Sequence, residues 1–249
     1  MRLCLFAAHL RPGNRRLDAE QTRFVTALAL QFERVVVLLA SDDAGASAAI
    51  SWVLDGHSNN VSIVPVPNMN LDFGAWARAV PLLSANPPEV LALVNDSCIL
   101  RAPTAPAGDP GAACWGLVKS YEITEHLQSF YLVFRGKSAV SAVIRFFDSV
   151  SGWLLSGPMP KNDVIHACEI GLSRFLLASG LRLDAAFDPK TDSDLANEMR
   201  ARRPGRIAPS NLSYSFWDLL LERGCPLLKL NRESLGPRCT SAQECRPSS

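Results

Sequence analysis

The sequence predicts an α/β protein whose mostly parallel sheet is flanked by helices in three layers. Short, unbroken apolar runs alternate with amphipathic helical segments, as parallel strands buried on both faces require. The runs also end abruptly in polar residues: His9, Ser41-Asp42, Asn68 to Asp72 and Asn95 to Ser97 each follow one. In open α/β sheets, ligands sit beyond the carboxyl ends of the strands.

In order along the chain, Leu3 to Ala8 reads as a buried strand. Asp18 to Phe32 is a helix with Phe24, Val25, Leu28 and Phe32 on one stripe, and Arg34 to Ala40 is a second strand, completing a βαβ unit. Ala44 to Leu54 reads as helix, Val61 to Val66 as a third strand ended by Pro67, and Phe73 to Leu83 as a helix packing through Trp76, Ala79, Val80 and Leu83. Val90 to Val94 is the fourth strand. It delivers Asn95, Asp96 and Ser97 to its end, which is how a fold brings a carboxylate to a cleft. Cys114 to Val118 and Phe130 to Phe134 read as further strands flanking Glu122 to Gln128; Ser138 to Val150 and Asn162 to Ala178 read as helices. Asp184 to Asn211 is polar enough to be expected as a mobile segment or one that folds over a ligand. Phe216 to Arg223 is the last helix, and the tail from Gly236 is expected to be disordered.

The 249 residues, 48% hydrophobic and 20% charged, suffice for one large core. A net charge of +1 supplies no general field for a polyanion, so nucleic acid is not an expected partner. The apolar start, Leu3 to Ala8, is short for a secretory signal and runs into His9, Pro12, Arg15 and Arg16, and no segment has the roughly 20 apolar residues of a membrane span. A cytosolic chain is expected. Seven cysteines at irregular spacing, with no C-x-x-C pair, read as reduced core residues and not as a zinc or disulfide framework. Neither G-x-G-x-x-G nor G-x-S-x-G is present, which argues against dinucleotide-binding and α/β-hydrolase readings. A parallel sheet without a glycine cradle needs another hold on a diphosphate, commonly a divalent cation on a strand-end carboxylate.

Several segments together resemble the rhamnan synthesis protein F family of glycosyltransferases, which act in bacterial polysaccharide assembly. They are Asn68-Met69-Asn70-Leu71-Asp72-Phe73-Gly74-Ala75-Trp76 (the family's N-x-G-x-D-F-G-A-W), Leu93-Val94-Asn95-Asp96-Ser97 (L-x-N-D-S), Trp115-Gly116-Leu117, and His126 through Phe134. Asp163-Val164-Ile165 through Glu169-Ile170-Gly171-Leu172-Ser173 and Gly224-Cys225-Pro226-Leu227-Leu228-Lys229 (G-x-P-x-x-K) complete the set. The resemblance implies a GT-A-like fold over residues 1–235, with a nucleotide-sugar-binding half (1–100) and an acceptor and catalytic half (101–235). It implies transfer of a hexose or deoxyhexose, rhamnose among them, from a nucleotide donor to a polysaccharide or lipid-linked glycan, with inversion. A cytoplasmic location with peripheral contact at the inner membrane face follows. Asn70, where the family has glycine, is a departure that adds a side chain where backbone would approach the donor.

For the donor, the candidate residues are His9, Asn68, Asp72, Asn95, Asp96 and Ser97. Asp96 would ligate Mg2+ or Mn2+ or bind the donor's ribose or phosphates; the plain alternative is an Asx turn after the strand. Asp72 equally suits a cap on the following helix. Glu169 is the first candidate for the base that takes the acceptor's proton and Asp163 the second, with His166 three residues from each and able to tune either. Trp115, His126, Gln128 and Ser129 are candidates for holding the donor sugar or the acceptor. Arg200, Arg202, Arg203 and Arg206 form a basic cluster that reads as a charged loop or a phosphate contact.

Overall fold

A computed structural model describes residues 1–10, 17–41, 58–202 and 211–230. Its first half follows the expected order: β1 (Arg2–His9), α1 (Ala19–Ala29), β2 (Arg34–Ser41), β3 (Val61–Pro67), α2 (Leu71–Ala85) and β4 (Val90–Asn95). The interior residues of β1, β2 and β4 are buried, which is why these strands are apolar without alternation. β3 carries Pro65 and Pro67 and is half-buried to exposed apart from Val66, as suits an edge strand whose missing N–H groups need no partner.

β1 pairs in parallel with both β2 and β4, and β2 with β3. The chain therefore builds outward through β2 and β3, then returns to lay β4 on the other side of β1. In open α/β sheets such a reversal marks where a crevice forms, here beyond the carboxyl ends of β1 and β4.

The second half departs from an all-parallel sheet. After β5 (Cys98–Leu100), β6 (Cys114–Ser120) and β7 (His126–Leu127), strand β8 (Tyr131–Arg135) inserts between β4 and β6, antiparallel to both. β6 thus runs with β4, and the carboxyl ends of β4 and β6 meet the amino end of β8 at one edge of the sheet. The helical segment after it comprises α3 (Gly136–Leu154), α4 (Lys161–Val164), a π-helical turn (Ile165–Ile170) and α5 (Gly171–Ala178).

The polar stretch from Asp184 holds more order than expected: β9 (Leu183–Phe187) pairs in parallel with β6, and α6 (Ser193–Arg202) follows. α6 buries only Leu195, so apolar patterning does not reveal it. Charge holds it instead. Arg202 pairs with Asp218 and Glu222, and Arg223 with Asp192 and Glu198, joining α6 to α8 (Trp217–Glu222), which follows the short α7 (Leu212–Ser215). Arg202 is accordingly neutralised and does not belong to a free basic cluster. β10 (Leu227–Lys229) ends the described chain, antiparallel to β5. The expected helix Ala44 to Leu54, the tail from Gly236, and Arg203 and Arg206 lie outside the described residues.

Two apolar layers cover the sheet. Leu3, Leu5 and Ala7 of β1 face α2 and α3, where Phe73 lies edge-on to Trp76 at 5.1 Å; Cys4, Phe6 and Ala8 face α1, where Phe24 lies 5.5 Å from Phe6. Among the described residues no helix is long and apolar enough to cross a membrane.

Candidate functional site

The crevice between β1 and β4 is organised by Asp96. Its carboxylate is buried, and one oxygen accepts from the backbone N–H of His9 at 2.9 Å and from Nε2 of Gln21 at 2.6 Å. The other accepts from Nδ1 of His9 at 3.0 Å. Gln21 stands at the start of α1 in a reciprocal capping box with Asp18, so the same side chain that closes the helix end also reaches the strand-end carboxylate. Gln21 is a site residue that the sequence reading passed over; the Asp-x-x-Gln spacing was the available signal.

The Asx turn foreseen for Asp96 is made by its neighbour. Asn95 Oδ1 accepts from the backbone N–H of Ser97 at 3.0 Å and from Ser97 Oγ at 2.6 Å, while Asn95 Nδ2 donates to Asp72 Oδ2. Asp72, half-buried in the first turn of α2, is thereby drawn to the end of β4. Burial raises its affinity for a proton, the His9 charge lowers it, the nearby Asp96 raises it again, and the Asn95 bond lowers it; the net direction is upward. Asn68 joins the same edge through its backbone N–H to Ser41 O at 3.3 Å.

α2 enters the site through a strained turn. Asn70 (φ 60°) and Leu71 (φ 57°) are both left-handed, a rare conformation for leucine. A Cβ on Gly74 would lie 1.9 Å from the Met69 carbonyl oxygen, so only glycine permits this backbone approach. The expectation that Asn70 intrudes on the donor is corrected here. Its side chain turns away, donating to Leu154 O (2.6 Å) and Gly157 O (2.9 Å) and accepting from Met159 N–H (2.8 Å). Asparagine supplies the left-handed backbone that glycine would, and its amide clamps the α3–α4 connection as well.

The second wall comes from β7, β8 and the π-helical turn. Glu169 Oε2 accepts from Ser129 N–H at 2.9 Å and from Ser129 Oγ, and Glu169 Oε1 lies 3.7 Å from His126 Nε2. His126 Nδ1 is 2.8 Å from the carbonyl of Thr124, which can only accept, so Nδ1 carries a proton and Nε2 is the atom facing Glu169. The wall adjoins the Asp96 crevice directly, because Asn95 N–H donates to Phe130 O, one residue after Ser129. His126, Gln128 and Ser129 are buried here and do not stand at an open mouth. Gln128 Nε2 donates to Asn211 Oδ1 at 2.5 Å, tying the wall to the start of α7.

Other candidates stay outside. Asp163 and His166 are exposed, and the imidazole beside Glu169 is His126, not His166. The π-helical turn is the reason: its wider spacing breaks the three-residue alignment of His166 with Glu169 and directs Glu169 toward β8. Trp115 is buried in the core, edge-on to Tyr131 at 6.3 Å, and presents no face to a sugar.

A further network at the same sheet edge went unread in the sequence. Buried Lys119 pairs with Asp188 at 3.0 Å and Glu125 at 3.1 Å, and Tyr121 donates to Asp188 at 2.8 Å. Burial alone would raise the Asp188 carboxyl, but hydrogen bonds from the Lys190 N–H, Lys119 and Tyr121 bring it below its ordinary value. Lys119, Tyr121 and Glu125 are near neighbours in sequence, but Asp188, which joins them, is 67 residues beyond Tyr121, and no local pattern announces it.

The described residues do not assemble a metal centre. No group of three or more His, Cys, Asp or Glu side chains among them is arranged to hold an ion, and both oxygens of Asp96 already accept hydrogen bonds. The expected Mg2+ or Mn2+ ligation by Asp96 therefore does not fit the described residues.

No family model and no curated protein matches the chain. The resemblance to the rhamnan synthesis protein F family thus rests on the quoted motifs. Among solved structures, the chain is similar to galactosyltransferase LgtC in complex with donor and acceptor sugar analogs, with 12% identity over 67% of this chain and 70% of that one and a TM-score of 0.40. It is similar to an active-site mutant of LgtC at 12% identity, over 66% of this chain and 69% of that one, with a TM-score of 0.39. A likeness this loose carries neither residues nor chemistry from one chain to the other.

Proposed function

We propose that this protein is a GT-A-like glycosyltransferase, one domain over residues 1–235, that moves a sugar from a nucleoside-diphosphate donor to a glycan acceptor. One observation carries the reading: Asp72, Asn95 and Asp96 converge at the β1/β4 crevice directly beside the Ser129, Glu169 and His126 wall. A donor needs hydroxyl and phosphate contacts at a strand end, and an acceptor hydroxyl needs a carboxylate across from it.

In this reading Asp72 accepts from donor hydroxyls, while Asn95 and Ser97 fix its orientation. Asp96, through His9 and Gln21, keeps β1, β4 and α1 in register and acts as a positioning residue. The acceptor oxygen bonds to the anomeric carbon as the bond to the diphosphate breaks, with inversion. Glu169 takes the acceptor's proton, and His126 Nε2 shares it. The motifs shared with the rhamnan synthesis family support a hexose or deoxyhexose donor, rhamnose included, and a polysaccharide or lipid-linked acceptor at the cytoplasmic face of the membrane.

The test is product identity. Incubation with a panel of nucleotide sugars and glycan acceptors is expected to release nucleoside diphosphate together with an extended glycan. Release of pyrophosphate or inorganic phosphate would instead identify a nucleotidyl transferase or a phosphatase, and donor binding without release a binding module.

A further inference from the structure

His126 owes its orientation to a loop that the sheet does not hold. The ladder between β6 and β7 ends at the Ser120–His126 pair, and residues 121–125 make no backbone hydrogen bond to another element among the described residues. Yet Thr124 O is the acceptor that fixes Nδ1 of His126 at 2.8 Å. The loop is gripped instead from the end of β9. Asp188 directly follows that strand, and its side chain is only 4% exposed. One carboxylate oxygen accepts from Lys119 Nζ at 3.0 Å, the other from Tyr121 OH at 2.8 Å and from the Lys190 N–H at 2.9 Å. Lys119 donates also to Glu125, the residue before His126, at 3.1 Å, and the Lys190 ammonium lies 3.9 Å over the Tyr121 ring. Asp188 is itself held by a turn in which its carbonyl accepts from Asp192 N–H at 2.9 Å.

We propose that Asp188 is a positioning residue for the Glu169–His126 pair: by fastening Tyr121 and Lys119 it fixes the 121–125 loop and, through Thr124, the ring nitrogen that His126 turns to Glu169. Stability alone does not account for such a cluster, because desolvating buried charges offsets much of their attraction and apolar residues of similar volume often serve as well. What the cluster supplies is geometry. Its members meet where β6 and β9 end side by side, one residue beyond the Val118–Phe187 pair. Nε2 of His126 stands 3.7 Å from Glu169 Oε1, just beyond hydrogen-bond reach, so a small movement of the loop makes or breaks that contact. A second anchor, Leu127 N–H to Ser173 Oγ at 3.0 Å, holds β7 after His126 and leaves the loop before it to Asp188. The effect on catalysis rests on the glycosyltransferase reading; the control of the His126 ring does not.

Nitrogen NMR of the imidazole rings at about pH 8.5, where an ordinary histidine is neutral, tests this on wild type, Tyr121→Phe and Asp188→Asn, with His126→Gln assigning the signal. Wild type should show the His126 proton on Nδ1, and both variants should show the averaged signals of two exchanging tautomers. Tyr121→Phe keeps the ring beneath Lys190 and removes a single bond, so it decides the matter even if Asp188→Asn, which strips Lys119 of one counter-charge, does not fold. In transfer assays each variant should lower kcat about tenfold with the donor KM unchanged, the split expected when a reacting group is misplaced and binding is not. An unchanged His126 tautomer in Tyr121→Phe, or a raised donor KM with kcat intact, would overturn the proposal. Averaged tautomers in the variants of a protein that transfers no sugar would uphold the positioning and count against the glycosyltransferase reading alone.

Discussion

Asp96 and His9, 87 residues apart in sequence, meet through a double contact: the carboxylate accepts from the histidine's backbone N–H at 2.9 Å and from its ring Nδ1 at 3.0 Å. With Gln21 as a further donor, Asp96 closes the seam between β1, β4 and α1. Asp96→Ala would remove the shared acceptor of these donors, at about 1–3 kcal/mol for each bond lost, and leave Gln21 Nε2 with its bond to the His9 carbonyl. Urea denaturation should show a loss of roughly 3 kcal/mol or more, so any binding lost in this variant reports first on the fold.

Glu169 is a sharper catalytic test. Glu169→Gln retains an oxygen for the Ser129 donors but cannot take a proton at neutral pH. Its transfer rate should fall on the order of 100-fold or more, as for loss of a general base, while the melting temperature shifts little. Retention of the wild-type rate would remove Glu169 from the mechanism.

The stability of Asp72 depends on pH in a fixed direction. Its carboxyl binds a proton more readily in the folded protein than at its ordinary value of 3.8. As pH rises above that value the unfolded chain releases the proton first, so folding is disfavoured progressively until the folded carboxyl also ionises. Asp72→Asn should therefore raise the melting temperature at neutral pH, have little effect near about pH 3, and weaken donor binding. Equal melting shifts at both pH values would contradict this.

Asn70 separates backbone from side-chain effects. Asn70→Gly keeps the left-handed turn and loses the clamp on Leu154, Gly157 and Met159; Asn70→Ala loses both. Denaturant midpoints should rank wild type above glycine above alanine, with the alanine variant lower than glycine by about 1 kcal/mol.

Burial pushes the thiols of Cys98, Cys114 and Cys168 up to about 12 and that of Cys225 to about 11. These cysteines and Cys4 should resist alkylation at neutral pH until the protein unfolds, as mass spectrometry of labelled peptides would show.

The parallel half of the fold was legible because its signals are local. Unbroken apolar strands, the Phe24 to Phe32 stripe and the prolines of β3 each announce themselves within a few residues. The insertion of β8 between β4 and β6 was not, since apolar content does not encode strand direction. α6 escaped because ion pairs with α8 hold it, not an apolar stripe. At the site, polar residues at strand ends directed attention to Asp72, Asn95 and Asp96, whereas the partnership of Glu169 with His126 in place of His166 depends on a π-helical turn that spacing alone conceals. Lys229 stood within a quoted motif, but its position against Tyr214 and Phe130 arises only from the pairing of β10 with β5.

Whether a nucleotide-sugar donor is held at the β1/β4 crevice is decided by calorimetric titration with UDP, dTDP and GDP, each with and without Mg2+ or Mn2+, on wild type and Asp72→Asn. One diphosphate should bind selectively, and Asp72→Asn, although folded and more stable at neutral pH, should bind it about tenfold or more weakly. Binding of no diphosphate, or equal binding by the two proteins, would contradict it.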